Sequence, residues 1–184
     1  MSAFEALFAF YGLLLGLAIA AVASGFGEQW RRRHGRTIGR LVPLLGLYIL
    51  LAASQQWLSF WGARDDLQLT PLNLFMCLAM ALPYIFVAQV VFPLTDEEAA
   101  HGDDHYLTDR KVFLGVLMLP LAFSLTYNLV VGGLPESWEH LLGVMVLWVL
   151  PLLVLAALLR VRRRGWHEAG LAVLILDRLV VILA

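Results

Sequence analysis

Apolar residues fill six stretches of this chain, and charged residues gather almost entirely between them. The stretches run over about 4–26, 41–61, 71–92, 112–131, 140–159 and 169–184. A helix needs ~20 mainly apolar residues to cross the hydrocarbon of a bilayer. The pattern therefore predicts an all-α bundle of six transmembrane helices in one integral domain over 1–184. The last stretch is the shortest: 16 residues at ~1.5 Å each span only ~24 Å. It thins the bilayer locally or takes an extra turn from 166–168.

The breaks are polar and differ in sign. Arg31, Arg32, Arg33, Arg36 and Arg40 crowd the first, and Arg160, Arg162, Arg163 and Arg164 the last. The longest, 93–111, is acidic, with Asp96, Glu97, Glu98, Asp103, Asp104 and Asp109 ahead of Arg110 and Lys111. Gly132-Gly133 and Pro135-Glu136 separate the fourth and fifth stretches. Lys and Arg accumulate in cytoplasmic loops, whereas acidic residues contribute little to orientation. Three helical hairpins with cytoplasmic tips follow, with both termini outside. Trp57, Trp61 and Trp138 then fall at outer helix ends, and Trp30 and Trp166 at inner ends, the levels that indoles favour.

Composition supports the class. Of 184 residues 61% are hydrophobic, and mean hydropathy is +0.80, against ~45–50% apolar in ordinary soluble domains. A net charge of −1 gives no global basic field for nucleic acid. Cys77 is the only cysteine and lies in an apolar run, which rules out a disulfide framework within one chain and favours a packing role. Ala21-Val22-Ala23 resembles a signal-cleavage site. The run before it carries Glu5 and no Lys or Arg, and three arginines follow at 31–33, so an uncleaved first span is expected.

In lipid, helices associate through close packing of small residues. Gly12, Gly16, Ala20 and Ser24 recur every four residues in the first span and predict a close helix contact, within the chain or as a dimer seam. Pro43 sits near a helix start, where proline is tolerated. Pro83, Pro120 and Pro151 lie inside spans and should bend them.

Under this orientation most intramembrane polar groups fall in the outer half. They include Glu5, Tyr11, Ser59, Asn73, Ser124 and Thr126, with Tyr84 central and Gln89 an inner exception. Gln55, Gln56, Tyr127, Asn128 and Asp177 form a candidate polar pocket, because polar side chains in hydrocarbon turn toward the bundle interior or water. The plainer reading is a set of interhelical hydrogen bonds that fix the bundle, worth ~0.6 kcal/mol each. Asp177 costs about 2.5–3.5 kcal/mol if ionised at a span's centre, so it needs a donor or a proton. Its neighbour Arg178 points ~100° away and is placed to snorkel outward.

Arg31, Arg32, Arg33, Arg162, Arg163 and Arg164 are expected to meet anionic headgroups at the cytoplasmic face. His101, Asp103, Asp104 and His105 are metal-capable, but their spacing fits no zinc pattern, and a solvated loop with a capping box at Thr95–Glu98 is expected. No metal or cofactor is anticipated: no histidine sits mid-span to hold a haem. H-E-x-x-H, G-x-S-x-G, P-loop and dinucleotide-binding patterns are all missing from the sequence. The first function class is thus a non-enzymatic scaffold or membrane-complex component, self-associating or bound to partners in a bacterial inner membrane. The second is a small transporter or sensor with an externally open polar pocket. An intramembrane enzyme ranks third.

Overall fold

The computed structural model describes residues 2–31, 39–64, 69–93, 103–131, 133–134 and 137–183. Among them every regular element is a helix. α1 is Ala3–Arg31, α2 Leu41–Gly62, α3 Pro71–Val90, α4 Asp104–Val131, α5 Trp138–Arg160 and α6 Arg164–Leu183. The first five are long and apolar enough to cross a membrane. α6 does not meet that measure of length and composition. Arg164, Glu168, Asp177 and Arg178 break its apolar run, although its 20 residues reach ~30 Å.

Local chemistry sets several helix starts. Ser2 Oγ accepts from the Glu5 N–H at 3.1 Å, and Glu5 Oε2 accepts from the Ser2 N–H at 2.6 Å. This reciprocal capping box uses Glu5 at the helix entrance rather than inside a span. Thr70 Oγ1 caps α3 through the Asn73 N–H at 3.2 Å, with Pro71 following it. Ser137 caps α5 through the His140 N–H at 3.1 Å. At the end of α4 the chain leaves the helix, and Gly133 adopts φ 78°, a left-handed conformation suited to glycine.

Three helices outrun their apolar stretches, α6 by starting at Arg164 rather than Ala169. α1 continues past Phe26 to Arg31, and α4 begins at Asp104 rather than Val112. Charged residues form good helix once they stand in the headgroup region, where hydropathy no longer marks the boundary. α5 contains one wide π turn, Met145–Val149, just before Pro151.

The helices pack as a ring. α2 touches α1, α1 touches α3, α3 touches α4, α4 touches α5, α5 touches α6, and α6 returns to α2. Their facing sides bury Leu15, Leu45, Ala53, Ala81, Val87 and Leu117, with three tyrosines, Tyr11, Tyr48 and Tyr84, inside. The outward sides carry Leu13, Phe75, Leu82, Leu119, Leu153 and Leu176, all exposed. That distribution suits lipid contact.

The stripe of Gly12, Gly16, Ala20 and Ser24 does not form the expected contact within the chain. Gly16, Ala20 and Ser24 are exposed, and of the two glycines Gly12 alone lies close to a neighbour, Trp57. The tight approach falls a quarter turn away. A Cβ on Gly25 would overlap the Phe92 ring, and one on Gly46 would come within 2.9 Å of Phe26. Phe26 and Phe92 themselves meet edge to face at 5.3 Å.

Candidate functional site

At one end of the bundle the starts of α2, α4 and α6 are tied together. Asp103 Oδ1 accepts from the Leu41 N–H at 2.8 Å and so caps α2 from 62 residues away. Asp103 Oδ2 meets Arg164 Nη2 at 2.6 Å. The Tyr106 hydroxyl lies 3.0 Å from His167 Nδ1, and His167 Nε2 lies 3.0 Å from the Val161 carbonyl. A carbonyl only accepts, so Nε2 carries a proton and donates to Val161, while Nδ1 and the Tyr106 hydroxyl form the second hydrogen bond of the ring. Asp103 is thus a buried structural residue, not part of a solvated acidic loop. His101 and the segment 95–98 lie outside the described residues. Among the described residues no three His, Cys, Asp or Glu side chains come together.

Toward the other end, a cavity of about 560 Å³ lies between α2, α3, α4 and α5. Gln55, Gln56, Tyr127 and Asn128 all line it. Asn73, Ser59 and Ser124 join them, so α2, α3 and α4 each contribute polar groups at one depth. Ala63 and Asn73 stand near helix ends, whereas Gln55 lies seven residues short of Gly62, or ~10 Å deeper. Phe60, Met76, Cys77, Met80 and Trp148, which polarity along the sequence does not single out, form the apolar part of the wall. The spacing of Met76 and Met80, four apart on α3, was the available signal. Phe60 is braced by Tyr11 at 4.7 Å and Phe8 at 6.3 Å between ring centroids. Gln56 Nε2 rests on the Met80 sulfur at 3.3 Å.

Asp177 does not line this cavity. It lies behind it, buried, and its partner is Arg178. Nε of Arg178 donates to Asp177 Oδ2 at 2.9 Å and Nη2 to the same oxygen at 2.6 Å. Arg178 does not snorkel: it is 2% exposed. Although the two residues leave the helix in different directions, the long arginine side chain folds back along α6. Its Nη1 donates to Gln55 Oε1, and its Nη2 to the Leu147 carbonyl at 2.9 Å. One guanidinium therefore joins α6, α2 and α5. Tyr48 and Tyr84 complete the surroundings, both within electrostatic reach of Arg178.

Of the arginines expected at headgroups, Arg31, Arg162 and Arg163 are exposed. Arg164 is shared between Asp103 and Glu168. Arg32 and Arg33 lie outside the described residues. Thr126 faces outward and returns its hydroxyl to the Ala122 carbonyl at 2.8 Å, while Gln89 is also exposed.

Comparison with protein-family models, with curated proteins and with solved structures gives no match.

Proposed function

We propose that this multi-pass membrane protein binds a small molecule in the cavity between α2, α3, α4 and α5, as a transporter or sensor. One observation carries the reading: Gln55, Gln56, Asn73, Tyr127 and Asn128, from three helices, surround a single space. Interhelical hydrogen bonding alone would close these amides on one another, and a cavity within the ~300–1,000 Å³ range of small-molecule sites would not form. That shifts the weight from a scaffold to a binding protein.

In this reading the cavity opens to the outer side and α6 crosses with the other five helices. The charges of α6 are matched, Arg178 by Asp177 and Arg164 by Asp103, which lowers the cost of burial. The arginine-rich ends of α1, α5 and α6 then face the cytoplasm of a bacterial inner membrane. Exposed Arg31, Arg162 and Arg163 meet anionic headgroups there.

Thiol accessibility tests this. In a Cys77→Ser background, Ser59→Cys should react with a membrane-impermeant thiol reagent applied from outside. Thr108→Cys, exposed near the start of α4, should react only in inverted vesicles. An unreactive Ser59→Cys rejects an open cavity, and the reverse sidedness rejects the orientation.

Membership in a complex keeps one supporting observation, the exposed small-residue face of Gly16, Ala20 and Ser24. Cross-linking between Ala20→Cys copies in membranes would support self-association through that face.

A further inference from the structure

The cavity wall contains no charged side chain among the described residues. The charges closest behind it are already committed to each other. Both Nε and Nη2 of Arg178 address Asp177, Nη1 addresses Gln55, and Nη2 also takes the Leu147 carbonyl. An anionic or cationic ligand would meet no free counter-charge in a low-dielectric site and would lose its hydration without replacement. From this we infer that the ligand is an uncharged amphipathic molecule bearing a carboxamide-type group, a carbonyl acceptor beside an N–H donor. The inference rests on the cavity being the binding site, as proposed above.

Two side chains on separate helices set the polar half of that preference. Gln55 Oε1 is occupied by Arg178, so its Nε2 hydrogens are what Gln55 has left to offer, and they require an acceptor. Asn128 Oδ1, across the cavity on α4, is buried and has no hydrogen-bond partner among the described residues. An acceptor left unpaired in a protein interior is costly, and a turn of the Asn128 amide about its last torsion would present it to a ligand N–H in the cavity. A carboxamide supplies both groups while remaining neutral. The other half of the wall, Phe60, Trp148, Met76 and Met80, is flat or polarisable and suits an aromatic or aliphatic body.

The test uses four probes of one shape and different polarity: benzamide, benzoate, benzylammonium and toluene. Each is added at millimolar concentration to the full chain carrying Cys77→Ser and Ser59→Cys, in vesicles, and the rate of thiol labelling is followed. Benzamide should slow labelling severalfold, and the other three should not. Asn128→Leu should lose the benzamide effect relative to its own unprotected rate, and Asn128→Asp should transfer protection to benzylammonium. Equal or better protection by a charged probe, or labelling that no probe slows, overturns the ligand class while leaving the cavity intact. Absence of labelling without any probe defeats the cavity itself, and the ligand class with it.

Discussion

Arg178 donates through Nη2 to the carbonyl of Leu147 at 2.9 Å. That carbonyl lies four residues before Pro151, which has no N–H to return to it in a regular helix. The π turn Met145–Val149 occupies the same stretch, where such widened turns expose backbone groups. A proline on one helix and an arginine on another thus solve each other's problem. The arginine gains an acceptor in the bundle interior, and the carbonyl gains a donor.

The coupling predicts a mutational cycle. Arg178→Met leaves Asp177 buried without its counter-charge and should destabilise the protein by about 3–5 kcal/mol. Asp177→Leu combined with Arg178→Met removes both charges and should recover most of that loss. Unfolding in mixed detergent micelles, followed by helical circular dichroism, measures the difference. A double variant no more stable than the single would show that the pair is not the source of the effect.

Pro151→Ala offers a second, independent check. It restores an N–H that can reach the Leu147 carbonyl. In the Arg178→Met background, where that carbonyl has lost its side-chain donor, the change should restore about 1 kcal/mol. In the wild-type background the gain should be smaller, because Arg178 already serves the carbonyl. Equal gains in both backgrounds would mean that Pro151 and Arg178 act separately.

Asp103 predicts a graded series at the other end. Asp103→Asn retains an oxygen for the Leu41 N–H and loses the ion pair to Arg164. Asp103→Ala loses both. The asparagine should cost about 1 kcal/mol and the alanine a further 0.5–2 kcal/mol for the missing cap. Thermal midpoints in one detergent separate the two steps. Identical midpoints for the two variants would remove Asp103 as the cap of α2.

These residues also mark how far the sequence could be read. Five helices were legible because lipid demands long apolar runs, a rule that needs no tertiary information. The ends of α1 and α4 were not, since Trp30, Arg31 and Asp104–Lys111 look like loop once hydropathy is the only guide. The depth of Gln55, Gln56, Tyr127 and Asn128 followed from counting along the spans. Their direction around each helix did not, which is why Thr126 and Gln89, equally polar, point away. Asp103 and Leu41 lie 62 residues apart, and Arg178 and Gln55 lie 123 apart. No local pattern connects them. Adjacent helix positions diverge, which makes Arg178 look like a snorkelling residue, yet its side chain is long enough to reach Asp177.

Glycine substitution distinguishes the packing now seen from the packing that spacing suggested. A Cβ at Gly25 would overlap the Phe92 ring, which is already held edge to face by Phe26. Gly25→Ala should therefore force that pair apart and cost about 1–3 kcal/mol. Gly16 has open space where its Cβ would stand, so Gly16→Ala should be neutral or should stabilise α1 by about 0.5–1 kcal/mol through lower chain entropy in the unfolded state. Unfolding measured on monomeric protein in detergent should show this asymmetry. A large loss at Gly16 that depends on protein concentration would instead place a second copy against the exposed face of α1. A large loss independent of concentration would return that face to an intramolecular contact and overturn the helix arrangement described above.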